Sequence, residues 1–250
     1  MPASEITWAF EERLKYALVP GWLYIRYRTQ KERARGEPEI ALLPFLVDPA
    51  RNAIDAGANK GVYTHLISRL AKHTYAFEPN PKLFRILTRN IGKAVTASPI
   101  ALSDETGKAV LRIPFGRKGH SNQGASLSAT KVADHFTSVD VETARIDDLK
   151  LSDIGFIKVD VEGHEDAVLR GAIETIKRDR PVILAEIEEK HVKRPIEEEL
   201  RKIVALGYEG FFIASEGLRP LSAFDPVAHH RQPKGRYVFN FIFLPTPLQA

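Results

Sequence analysis

Two acidic clusters hold the residues best suited to chemistry. KVDVEGHE places Lys158, Asp160, Glu162 and His164 in one strand-like run and the turn after it; AEIEEKH adds Glu186, Glu188, Glu189 and His191. Side chains alternate along an extended strand, so Lys158, Asp160 and Glu162 share one face while Ile157, Val159 and Val161 fill the other. A strand covered on both sides is normally almost wholly apolar, so three charges on one face need a reason. One reason is an ion pair, because a buried ammonium such as Lys158 requires a carboxylate. The other is ligand chemistry. Asp160 falls nearer the carboxyl end of its run, and Glu186 ends the next such run, so these two are the expected catalytic or positioning pair. His164 titrates near neutrality and is a third candidate for taking a proton, with capping of a helix as the plainer alternative. Asp160, Glu186, Glu189 and His191 offer the oxygen and imidazole ligands that Mg or Mn accepts, but their spacing is not diagnostic and no metal is expected.

The second chemical feature is IDAGANKG, residues 54 to 61, an acid followed by two glycines at the end of an apolar run. Such a turn lets backbone pass close to a ligand beyond the carboxyl end of a strand. A dinucleotide site would show G-x-G-x-x-G, whereas Gly57 and Gly61 are spaced G-x-x-x-G. Asp55 would repel a pyrophosphate and attract an ammonium. FEPNP then puts Glu78 at the end of the next strand, where a carboxylate can accept both hydroxyls of a ribose. An adenosine attached to an amino acid satisfies both acids, and S-adenosylmethionine is that molecule.

These residues must be positioned by a parallel sheet, since apolar strands alternate with helical patterns from residue 52 onward. NAIDAG, TYAFEP, AVTASPIALSD, GFIKVDVEG and PVILAEIEE read as five strands. Between them run helical stripes: Val62, Leu66 and Leu70; Leu83, Ile86, Leu87 and Ile91, with Asn80 as cap; and Val168, Ala172 and Ile176. A further helix carries Ile196, Leu200, Ile203 and Val204 and stops at Gly207. TGKAVLRIP alternates like an added antiparallel strand, and FGRKGHSNQGASLSAT reads as a long exposed loop in which Arg117, Lys118 and His120 could meet an anionic group on a substrate. YEGFFI and YVFNFIFLP have no helix between them and should pair antiparallel at the sheet edge.

Residues 1–50 read as a helical extension and 51–250 as the main domain. Trp8, Phe10, Leu14 and Leu18 form an apolar stripe before Pro20-Gly21, and WLYIRYRTQKERARGEPE mixes aromatic and basic residues. That segment suits an acidic substrate or a lipid headgroup; ordinary solvated charge is the plainer reading. Thirty-six Lys and Arg against thirty-two Asp and Glu leave a charge of +4, too mild to argue for a nucleic-acid surface. No Cys is present, which excludes disulfides, thiolate metal sites and thiol nucleophiles. No apolar run is long enough to span a membrane, the first residues lack the pattern of a signal peptide, and a cytoplasmic location is expected.

IDAGANKGVYT, FEPNP, ALSD and FIKVDVEGHEDAVLRGA, in this order, resemble the FkbM-type family of S-adenosylmethionine-dependent class I methyltransferases over about residues 50 to 245. The resemblance implies a Rossmann-like α/β sheet of about seven strands, mostly parallel, with a C-terminal antiparallel hairpin and helices on both faces. It implies a cofactor pocket of Asp55, Gly57, Ala58, Asn59, Gly61, Glu78, Asn80, Ser103 and Asp104, and it also points to Asp160. It further implies methylation of oxygen on a sugar, glycan precursor or other small metabolite. An RNA acceptor, or a silent module that only binds S-adenosylmethionine, are the alternatives; no RNA-binding signature is seen.

Overall fold

A computed structural model of the chain describes residues 16, 18–116, 119–120, 125–127, 136–233 and 235–247. The strands are β1 (Asn52–Ala56), β2 (Thr74–Phe77), β3 (Val95–Ser98), β4 (Ala101–Leu102), β5 (Gly107–Gly116), β6 (Gly119–His120), β7 (Phe136–Ala144), β8 (Ile154–Val159), β9 (Val182–Glu186), β10 (Tyr208–Ala214), β11 (Gly217–Pro220) and β12 (Asn240–Pro245). The helices are α1 (Gly21–Arg35), α2 (Leu43–Leu46), α3 (Val62–Ile67), α4 (Pro81–Asn90), α5 (Glu165–Arg170), α6 (Ile173–Asp179), α7 (Glu189–Val192) and α8 (Ile196–Val204).

Eight strands form the main sheet in the order β11-β10-β12-β9-β8-β1-β2-β3. β3, β2, β1, β8 and β9 run parallel, while β12 is antiparallel to both β9 and β10. β1, β2, β8 and β9 are fully or largely buried because helices cover both faces, whereas the edge strand β3 is only half-buried. One face packs Ile157, Val168, Ile176, Ile183 and Leu200 together; the other joins Phe156, Leu184 and Ile242 to Leu43 and Ile67. Burying such a side chain stabilises the fold by roughly 1.5–3 kcal/mol, so these two layers fix which ends of the strands meet.

Three expectations need correction. The sheet has eight strands rather than about seven, because the chain turns at Gly217, with a φ of +115°, and adds β11 beside β10. β10 and β12 do pair antiparallel, but β12 lies inside the sheet between β9 and β10, so β11 forms the edge. The run expected as one third strand divides after Ser98: β3 stays in the main sheet and β4 joins β7 in a second, four-stranded sheet with β5 and β6. β7 falls after the segment expected to be loop, and its alternating burial ends on the buried pair Thr143 and Ala144. The stripe of Trp8, Phe10 and Leu14, and Arg117 and Lys118, lie outside the described residues; His120 pairs with Phe115 through β6.

The helix expectations hold where they rested on caps. Asn80 Oδ1 accepts hydrogen bonds from the Lys82 and Leu83 amides and starts α4, and Gly207 adopts a φ of +86° after α8. The single helix expected through Val168, Ala172 and Ile176 is two short ones, α5 and α6, and all three side chains are fully buried. Val204, expected on the apolar stripe of α8, is 39% exposed.

Candidate active site

The order of strands reverses between β1 and β8, and a cleft of about 460 Å³ opens beyond their carboxyl ends. This is where an open parallel sheet binds its ligand. One wall is the turn after β1. Gly57 has a φ of +81°, and a Cβ there would stand 1.8 Å from the Asp160 carbonyl oxygen, so the β1 and β8 turns touch only because residue 57 has no side chain. Gly61, with a φ of +89°, starts α3 against Leu87. Gly57, Ala58 and Asn59 line the cleft, whereas Gly61 supports them from behind.

Glu78 closes this end. It is buried, yet it lines the cleft, and its two oxygens accept backbone amides from Asn59 at 2.7 Å and Asn80 at 2.9 Å. Burial pushes its carboxyl up to about 7, although both backbone hydrogen bonds pull the other way. Asn80 is therefore the cap of α4 and a support for Glu78, and it does not line the cleft.

Asp55, expected to meet the ligand's ammonium, is not at the cleft surface. Its Oδ2 accepts from Thr64 Oγ1 at 2.6 Å, it stands opposite Lys158 in the β1–β8 register, and its other oxygen has no hydrogen-bond partner among the described residues. The carboxyl is fully buried, and burial raises its pKa. Its work is internal: it opposes the charge of Lys158 beneath the turn.

The far wall carries the acids of β8 and β9. Lys158 is buried, donates to Asp160 Oδ2 at 2.8 Å and lies 4.4 Å above the Tyr63 ring. The structural ion pair expected for Lys158 is thus present, and Asp160 is its partner while keeping a side chain 28% exposed to the cleft. Glu186 lines the same cleft and is hydrogen-bonded to no described residue; burial first, then the charge of Asp160, raises its pKa. Glu186 is thereby pushed toward its protonated form in the same cleft that Asp160 lines.

His164 lines the cleft with Nε2 at 2.9 Å from Ser103 Oγ, and burial lowers its pKa, so it is neutral at physiological pH. Ser103 and Asp104 sit behind it: Ser103 donates to Asp104, and Asp104 pairs with Arg170. Neither lines the cleft, so the ALSD segment reaches it through His164 and through Ala101 and Leu102. Glu189 is turned away, held by Arg231 and the Ile196 amide. Among the described residues no three His, Asp or Glu side chains are grouped to hold a metal ion.

Several cleft residues escaped the sequence reading or were named in it without a role. Arg28 of α1 lines the cleft; its Nη2 pairs with Glu32, and its buried Nε has no partner among the described residues. Tyr63 donates to Glu37, and Glu188 accepts from Tyr237 at 2.7 Å. The second sheet supplies Leu111, Ser126 and Leu127 as a lateral wall. Tyr63 stands in the quoted GVYT motif, and Glu188 stands two residues beyond Glu186 in the run read as the fifth strand, so both had a local signal. Arg28 lies in the aromatic and basic segment, and Ser126 and Leu127 in the loop read as a substrate contact, but only the fold shows that these particular residues reach the cleft.

A mostly parallel sheet with two reversed strands, β12 and β11, toward one end, and a cleft at the β1–β8 switch point holding an acid after β2, define a class I methyltransferase. Methyltransferase FkbM domain is the family whose sequence model matches residues 55–210. The chain belongs to this family and is a methyltransferase. The hexuronic acid methyltransferase AglP of Haloferax volcanii is 28% identical over 180 residues, which cover 66% of this chain and 69% of that protein. The FkbM methyltransferase of Methylobacillus flagellatus shares the fold with a TM-score of 0.50 and 18% identity, covering 90% of this chain. The match covers 55% of that larger protein, about half its length.

Proposed function

We propose that this chain transfers a methyl group from S-adenosylmethionine to a hydroxyl of a sugar, with a uronic acid or a glycan carrying one as the leading acceptor class. The observation that carries the reading is that one cleft holds Glu78, an acid suited to a ribose, at one end and the two carboxyls of Asp160 and Glu186 at the other. Its similarity to a hexuronic acid methyltransferase supports a sugar acceptor.

The residues fit the cofactor. Glu78 keeps lone pairs on both oxygens for the two ribose hydroxyls after accepting its two amides. The Gly57–Asn59 turn offers backbone at a position where a Cβ would collide with Asp160. Arg28, with a buried Nε left over, matches the carboxylate of the amino-acid end. When bound there, S-adenosylmethionine supplies a methyl group on a sulfonium as the electrophile.

The chain's own residues hold and deprotonate the acceptor. Lys158 orients the Asp160 carboxylate, which accepts the hydrogen bond of the acceptor hydroxyl and then its proton. Glu186, protonated because of its burial and the adjacent negative charge, donates to a second acceptor oxygen and sets the angle of approach. His164 keeps its Nε2 engaged with Ser103 and shapes the wall. Tyr237 and Phe239 offer flat faces against a sugar ring. Residues 51–250 form the catalytic domain in this reading, and α1 of the preceding extension closes its cofactor end through Arg28.

The test is transfer of labelled methyl from S-adenosylmethionine to a panel of uronic acid glycosides, neutral glycosides and an RNA oligonucleotide. Transfer to a glycoside, reduced at least 100-fold in kcat by Asp160→Asn with cofactor affinity kept, is expected for loss of a general base. Transfer to RNA alone, or full turnover in the variant, would sink the reading.

A further inference from the structure

Helix α1 is apolar on two sides. Tyr24, Ile25 and Thr29 face inward, where Tyr24 joins Tyr16, Leu83 and Ile86 in a buried cluster. On the outward side Trp22 is 67% exposed, Tyr27 63% and Leu23 46%, and Leu18 just before the helix is 71% exposed. A soluble surface seldom spends two aromatics and two leucines side by side without a partner.

The charges on that side have one sign. Arg26, Lys31 and Arg33 are exposed, while the helix's one acid, Glu32, is half-buried and paired with Arg28. The positive field continues onto the neighbouring helix: after burial, Arg69 and Arg33 hold the pKa of His65 below its ordinary value. Apolar side chains gather in the first turns of α1 and cations in the later ones, so one face offers anchors that leave water and cations that remain in it.

We propose that the outward face of α1 is a docking surface for an anionic lipid bilayer, with Trp22, Leu23 and Tyr27 entering the headgroup region and Arg26, Lys31 and Arg33 resting on its phosphates. Two other occupants fit less well. A second copy of the chain, meeting this face across a two-fold axis, would bring its cations against themselves. A nucleic acid would use the aromatics and cations but gain nothing from Leu18 and Leu23. Because Arg28 and Glu32 of the same helix line the cleft, docking holds the cleft mouth at the lipid surface. The inference does not depend on the acceptor.

Flotation of the full chain with vesicles tests it: phosphatidylcholine alone, and phosphatidylcholine with about 30% phosphatidylglycerol, at about 0.1 M and about 0.5 M salt. The wild type should prefer the anionic vesicles by about tenfold or more and lose most binding at high salt. Trp22→Ala/Tyr27→Ala and Arg26→Glu/Lys31→Glu should each weaken binding by about tenfold or more, with thermal melting and S-adenosylhomocysteine binding unchanged because none of these side chains is buried or lines the cleft. A wild type that does not float overturns the proposal, as do two variants that float like the wild type. So does tight binding of a single-stranded RNA without vesicle binding, or a wild-type dimer that Trp22→Ala/Tyr27→Ala dissociates while neither form floats.

Discussion

Glu78→Gln is the substitution whose outcome the structure fixes most closely. Both Glu78 oxygens accept a backbone amide, one from Asn59 and one from Asn80, and the residue is only 5% exposed. Glutamine brings one oxygen and one NH2, so one of those amides must face a donor. An unpaired buried N–H costs about 1–3 kcal/mol of stability. Ligand binding loses more. A hydrogen bond to a charged group contributes about 1.5–3 kcal/mol, and a ribose would make two, of which the amide oxygen retains one weaker bond. The net loss is about 2–4 kcal/mol, or roughly 30- to 1000-fold in Kd. Calorimetric titration with S-adenosylhomocysteine reads this directly. It also carries a pH signature: the carboxyl of the free protein titrates at about 7, and hydroxyls that donate to it favour the charged form. Affinity in the wild type should therefore rise between about pH 6 and pH 8, and that rise should shrink in the variant. A variant that binds within threefold of the wild type, with the pH dependence intact, would remove Glu78 from the ribose site and the division of the cleft with it.

Glu165→Gln should act on stability through pH. The carboxyl is buried, its Oε1 accepts the Gly163 amide, its Oε2 has no hydrogen-bond partner among the described residues, and burial lifts it to about 7 against 4.5 when unfolded. A raised carboxyl favours the protonated fold, so its contribution is whole below pH 4.5 and lost as pH rises through 7. The variant should gain on the order of 3 kcal/mol relative to wild type at about pH 8, less the cost of an unpaired amide, and nothing near pH 4.5; equal urea midpoint shifts at both would refute this. Gly57→Ala places a Cβ on the Asp160 carbonyl at a positive φ, and a protein that melts and binds S-adenosylhomocysteine like wild type would contradict the close approach. Lys158→Met strands Asp160 and Asp55 and should cost about 3–5 kcal/mol, with part restored in Lys158→Met/Asp160→Asn; additive denaturation energies would show that the two do not interact.

Helix caps and strand ends were legible because they depend on neighbours in the chain. Asn80 capped α4 as its sequence suggested, and the two-residue period placed Lys158 and Asp160 on one face, where they form an ion pair. Asp55 was misplaced for a related reason. Its type and position were read correctly, but whether it faces a ligand or the interior depends on Thr64 and Lys158, which arrive from α3 and β8.

By itself the sequence determined the alternation of parallel strands and helices, the glycine turn, the acids at the ends of β2, β8 and β9, and the family, since periodicity, capping and motif order are local properties of the chain. Tertiary structure alone decided that β12 enters the sheet beside β9, that β4 and β5 contribute to a wall of the cleft, and that Arg28 comes to its rim. It also decided that the carboxyls of Glu78 and Glu186 are pushed above their ordinary range. Protonation follows from burial and from charges brought together across the fold, and neither can be read from residue type or spacing.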